Sequence, residues 1–231
     1  MDYQSQKASP RGASAPQASS AIKLTAKGQR TRARIIDVAA QSIWERGVTA
    51  TTLEDVKLAA EVSSSQLYHY FANKEQLINA VIERQADTLV NTTEEADLGT
   101  PESLAAWRDL IVGHASAIQG QGGCPLGSLG SQLAESDPQA RTLVAAGFGR
   151  WASAIQNGMR ALHSQGRLTA GIDPDDLAVT VLAALQGGLL LAQVHRDVRP
   201  LRTTLDTILT MAGVMDPDRS SLAPEGGGRI S

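Results

Sequence analysis

The sequence predicts an all-α protein made of a small N-terminal unit of three helices and a larger helical body. Three observations carry that prediction. Apolar residues recur at i, i+3, i+4 and i+7 along most of the chain, without the two-residue alternation of a strand. The 231 residues are 42% hydrophobic but only 3% aromatic, so Ala and Leu supply the core rather than clusters typical of strands. Several helix starts are written out as caps, since Thr100, Asp137 and Asp173 each stand directly before a Pro, which suits the first helical position. A chain of this length buries a sizeable core and has room for two domains.

Residues 1–26 are rich in Ser, Ala, Gln, Pro and Gly and read as a disordered basic arm. From Lys27 to Gly47, Ile35, Ile36, Ala39, Ala40 and Ile43 form a helical stripe that ends at a C-cap glycine. Trp44 reads as a core or edge packer of that helix. Leu53, Val56 and Ala60 make one face of a second, short helix capped by Thr51 or Thr52. After a turn, Ser63 caps a third helix in which Leu67, Tyr70 and Phe71 face inward. Ser64, Ser65, Gln66 and His69 then point outward.

That outer face suits a DNA major groove, because short hydroxyls allow close approach to phosphates and a Gln can bind an adenine edge at two points. The run Ser63 to Phe71 with its Leu-Tyr-His-Tyr-Phe ending, followed by Lys74-Glu75, resembles the TetR family of bacterial transcriptional regulators. The resemblance implies a helix-turn-helix DNA-binding domain over 27–73 and a ligand-binding and dimerisation domain over 74–214; residues 215–231, with Gly226, Gly227 and Gly228, read by composition as a flexible tail. Two positions depart from the family pattern. Lys57 stands where the family usually has a small residue, and Glu61 where it usually has a turn Gly. A non-Gly residue at φ > 0 costs on the order of 1 kcal/mol, and Lys57 and Glu61 are spaced to pair at i, i+4.

Beyond the motif, Lys74 to about Thr93 reads as a helix long enough to join the two domains and move the reading unit as a body. Thr100-Pro101-Glu102 opens a helix with Leu104, Trp107, Ile111, His114 and Ile118 on one face. His114 there is either a satisfied core histidine or a pocket-lining polar group. Gly120 to Gly123 breaks the chain, and Gly123 to Leu129 looks like the start of the sixth helix in LmrA/YxaF-like TetR regulators, with Cys124 a small buried residue. Asp137-Pro138 starts a long helix to about Gln165. Its Gly147-x-Gly149-x-x-Ala152 mimics a dinucleotide fingerprint, but no strand precedes it, so the small residues are read as allowing another helix or a ligand to approach. Asp173-Pro174 opens a nearly all-apolar helix to about Val198, ended by Pro200; it reads as a subunit interface rather than a membrane span. Leu201, Leu205, Ile208, Leu209 and Met211 form a last amphipathic helix. In TetR relatives these two helices make a dimer four-helix bundle, which the resemblance implies here.

The net charge of −3 conceals an uneven distribution. Lys7, Arg11, Lys23, Lys27, Arg30, Arg32 and Arg34 all precede Asp37, with Asp2 the only acid among them, so the leading arm is basic enough to follow a phosphate backbone. One Cys excludes an internal disulfide framework and fits a reducing cytoplasm. The four histidines have no metal-ligand spacing and no Ser sits in a nucleophile elbow, so neither an enzyme nor a metal or cofactor is expected. Two rivals use Cys124: a redox-responsive regulator, and a thiol hydrolase pairing it with His114.

The expected function is a cytoplasmic, homodimeric repressor released from a palindromic operator by a small apolar or aromatic inducer. Candidate DNA contacts are Arg30, Arg32, Thr51, Thr52, Ser63, Tyr68, His69, Tyr70 and Lys74, with Ser64, Ser65 and Gln66 meeting base edges. Candidate ligand contacts are Trp107, Ile111, His114, Leu129, Phe148, Trp151, Ile155, Gln186 and Leu189. No membrane partner is expected.

Overall fold

The computed structural model describes residues 24–216. Among them every regular element is an α-helix: α1 Ala26–Ala50, α2 Leu53–Ala59, α3 Ser64–Tyr70, α4 Lys74–Glu95, α5 Pro101–Ala117, α6 Pro125–Leu133, α7 Pro138–Ser164, α8 Pro174–His195 and α9 Arg199–Met211. The arm and tail expected at the two ends lie outside the described residues, apart from Leu24 to Ala26 and Met215 to Asp216.

Local chemistry sets most of the boundaries. Thr25, Thr52, Ser63, Asn73, Thr100, Asp137 and Asp173 each place a side-chain oxygen on an otherwise orphaned N–H of the helix that follows. The choice between Thr51 and Thr52 as cap falls to Thr52, which exchanges hydrogen bonds with Asp55 in a capping box. Gly47 does not end α1 outright. At φ 83° and ψ 166° it kinks the helix, and one further turn follows. Pro200 lies in the first turn of α9, and α8 ends earlier, at a left-handed Arg196.

The helices α1, α2 and α3 close around Ile35, Ala39, Val56, Leu67 and Phe71, all sealed from solvent. Helix α4, at 22 residues about 33 Å long, packs against both α1 and α7. Small residues allow the close approaches. A Cβ on Gly147 would stand 2.9 Å from Ala86 of α4, and one on Gly188 of α8 would stand 2.7 Å from the Leu201 backbone of α9. The Trp151 indole donates to Thr93 Oγ1 at 2.9 Å inside the α4–α7 contact. Arg108 of α5 pairs with Asp206 of α9, both side chains largely covered.

Helix α8 is long and apolar enough to cross a membrane by length and composition. Its outward side instead forms a stripe of Val179, Leu190, Leu191 and Val194, all exposed, on a helix whose other side packs on α7 and α9.

Candidate functional site

The reading unit is built by α2, the turn and α3. Glu61 in the turn takes φ 50°, the left-handed conformation that the usual Gly adopts freely and that a side chain makes costly. Lys57 does not pair with Glu61 as its spacing suggested. Its ammonium lies 2.5 Å from Glu54 instead, because Glu61 sits beyond the end of the helix, where i, i+4 geometry no longer holds. Ser63 closes a second capping box: its hydroxyl accepts from Gln66 N at 3.1 Å, and Gln66 Oε1 accepts from Ser63 N at 3.0 Å.

This box changes the chemistry available to Gln66. A two-point contact with adenine uses both Oε1 and Nε2, and here the cap commits one lone pair of Oε1 and fixes the amide's orientation, while Nε2 stays free to donate. Thr51 is also redirected. It is 3% exposed and its hydroxyl donates to Gly47 O, so its side chain cannot reach a phosphate; it fastens the kinked end of α1. Tyr70 is half-buried with its hydroxyl beside Gly28. The Arg32 guanidinium lies 5.3 Å from the centre of the Phe71 ring, against which it packs. Lys74 Nζ donates to Thr49 O at 3.4 Å. What stands outward is Ser64, Ser65, Tyr68 and His69 on α3, while Thr52 before α2 and Arg30 on α1 are also exposed.

The nine ligand candidates do not converge. Trp107, Trp151 and Ile155 are core residues, and Phe148 is half-buried and stacks on Trp151 with ring centres 6.4 Å apart. Ile111 and Leu189 are half-buried against the same core. The apolar stripes that suggested a pocket are consumed by helix packing. His114 is not the core histidine either; it is exposed on α5. Together with Leu129 it lines a cleft of about 530 Å³ between α1, α4, α5 and α6. Gln186 lines a separate groove of about 350 Å³ between α6 and α8, beside Cys124. The wall of the larger cleft made by α1 and α4, including Trp44, Gln85 and Thr88, carries no sequence signal of a site, because its members come from segments far apart in the chain.

Cys124 is buried as the N-cap of α6, its sulfur accepting from Gly127 N at 3.4 Å. Burial pushes its thiol pKa up, against the hydrogen bond from Gly127 N–H that pulls the other way. Both rivals built on Cys124 need an accessible thiolate, and this environment disfavours one. Among the described residues no cluster of His, Cys, Asp or Glu could hold a metal ion.

A compact three-helix head with a capped, polar-faced third helix, joined by one long helix to a larger helical body, defines a helix-turn-helix DNA-binding regulator. The relatives agree. Residues 35–81 match the bacterial regulatory proteins of the tetR family, and residues 101–208 match the tetracyclin repressor-like C-terminal domain. An uncharacterized HTH-type transcriptional regulator of Mycobacterium tuberculosis is 30% identical over 182 residues, covering 75% of this chain and 89% of that protein. The crystal structure of a regulatory protein TetR from Rhodobacter sphaeroides superposes with a TM-score of 0.71 at 22% identity, over 78% of this chain and 98% of that one. SmeT, the repressor of the Stenotrophomonas maltophilia multidrug efflux pump SmeDEF, solved with triclosan, superposes at 0.64 with 25% identity, over 82% and 96%. The chain belongs to the TetR family and is a DNA-binding transcriptional regulator. The finer likeness to LmrA/YxaF-like members rests on Gly123 to Leu129 alone.

Proposed function

We propose that this chain is a homodimeric, ligand-responsive repressor whose head, residues 27–73, reads a palindromic operator and whose body, residues 74–214, dimerises and holds an inducer. The observation that carries the reading is α3, where Leu67 and Phe71 are sealed inside while Ser64, Ser65, Tyr68 and His69 stand in solvent. Short hydroxyls and an imidazole on a rigid outer face match base edges and phosphates in a major groove. Ser64, Ser65 and the Nε2 of Gln66 meet bases in this reading, and Thr52, Tyr68, His69 and Lys74 meet the backbone. SmeT, a repressor solved with triclosan, is the kind of relative that makes release by a small aromatic molecule the natural mode of control.

The stripe on α8 supports dimerisation through α8 and α9. Val194 is 68% exposed and Leu190 59%, and contiguous exposed apolar side chains on a soluble helix mark an interaction surface. Two heads on a two-fold dimer then meet half-sites whose centres lie about one helical turn, roughly 34 Å, apart. Selection of bound sequences from a random DNA pool tests this. An enriched palindrome with that spacing is expected; a pool that enriches no sequence overturns the reading.

A further inference from the structure

The cleft between head and body combines an aromatic wall, hydrogen-bonding groups and charges that are paired with each other. We propose that this cleft, bounded by α1, α4, α5 and α6, is a ligand site for uncharged aromatic molecules; this rests on the regulator reading above and names the place and chemistry of its effector.

The wall is Trp44 of α1, 38% exposed, whose ring is an apolar surface that a flat molecule can cover. Ile118 and Leu129 face it from the body. Hydrogen bonding comes from His114 of α5 and Gln85 of α4, which orient rather than attract a ligand. The charged members cancel, since Arg84 Nε lies 3.2 Å from Asp37 Oδ1. An anion binding there has to break that pair, and a cation has to displace the guanidinium; a neutral ligand does neither. The volume, about 530 Å³, falls within the range of sites that enclose drug-sized molecules.

The Trp44 wall is held in an unusual way. Gly122 at φ 75° lies flat on the indole, so that a Cβ there would fall 1.7 Å from Trp44 Nε1. On the other side of the same loop a Cβ on Gly120 would stand 2.4 Å from the Ala192 carbonyl of α8. The loop therefore runs from α8 to the indole that lines the cleft. One hydrogen bond more, from Val48 N to Gln132 Oε1 at 2.8 Å, joins the kinked end of α1 to α6. A molecule in this cleft touches head and body at once. Differential affinity for two head positions is what an effector needs.

The test uses two dyes with the same ring system, N-phenyl-1-naphthylamine, which is neutral, and 8-anilinonaphthalene-1-sulfonate, which is anionic. Each is titrated into the full-length protein, with binding read from dye emission. The neutral dye is expected to bind at one per protomer and at least tenfold tighter than the anionic one. Thr88→Arg puts a charge at the exposed α4 edge of the cleft and weakens the neutral dye at least tenfold, with helical circular dichroism and thermal midpoint unchanged. Ser131→Arg, in the α6–α8 groove, leaves it unchanged. Equal or tighter binding of the anion, insensitivity to Thr88→Arg, loss through Ser131→Arg, or no binding of the neutral dye each overturns the proposal. DNA selection on the same preparation reports separately: an enriched operator without dye binding sinks the cleft alone, and dye binding without an operator sinks the regulator reading alone.

Discussion

The outer faces of α3 and α8 are both left uncovered, and they are opposite in kind. Helix α3 shows Ser64, Ser65, Tyr68 and His69, whereas α8 shows Val179, Leu190, Leu191 and Val194. A polar face costs nothing to leave in water, so it can wait for DNA. An apolar face of that extent gains from being covered, since each large aliphatic side chain gains about 1.5–3 kcal/mol on full burial. The proposed dimer thus sets a surface kept free for recognition against one that a second copy would hide, and that contrast can be broken at either end or in between.

The largest effect is expected from converting the α8 face to the α3 kind. Leu190→Asp with Val194→Asp places like charges across the two-fold contact, and desolvating unpaired carboxylates costs several kcal/mol. Sedimentation is expected to show monomers, and affinity for the palindromic site to fall at least 100-fold with loss of two-headed binding. A persistent dimer would show that α8 is not the interface.

Next comes the link between the two regions. Gly122→Ala forces a Cβ toward the Trp44 indole at a positive φ, and such strain costs about 1–3 kcal/mol. Urea unfolding is expected to register that loss, and hydrogen exchange to rise near Trp44 and Gly122 rather than in the α4–α7 core. Uniform exchange would mean that the loop does not hold the head.

Smaller effects are expected within the α2–α3 unit itself. Ser63→Ala and Gln66→Ala each remove a shared cap and lower stability by about 1 kcal/mol. Because the two side chains serve one box, the double variant is expected to lose less than the sum. If Gln66→Ala leaves stability intact but changes the selected DNA motif, the side chain leaves its cap to read a base. The smallest change is a gain. Glu61→Gly relieves the left-handed backbone and is expected to raise the unfolding free energy by about 0.5–1 kcal/mol, with the DNA motif unchanged.

Much of the fold was legible because helix caps and 3.6-residue periodicity act over a few residues. Ser63, Thr100, Asp137 and Asp173 mark helix starts by supplying local acceptors for orphaned N–H groups, and the buried face of α3 follows from Leu67, Tyr70 and Phe71 at i, i+3 and i+4. The boundaries at Gly47 and Pro200 were less legible. A glycine can kink a helix as well as end it, and a proline can start one as well as stop one; neighbouring contacts select between these outcomes.

The candidate site shows the same division more sharply. Sequence alone determined the reading unit and the presence of an apolar helix needing a partner, since both are properties of one helix face. It could not assign Trp107, Trp151 and Ile155 to core rather than pocket, because an apolar stripe looks the same whether a helix or a ligand covers it. It could not release His114 from the core or turn Thr51 inward, because burial depends on what the rest of the chain brings alongside. Nor could it find the cleft. Asp37, Trp44, Arg84, His114 and Leu129 belong to four helices, and only their packing around the glycine loop makes one surface of them.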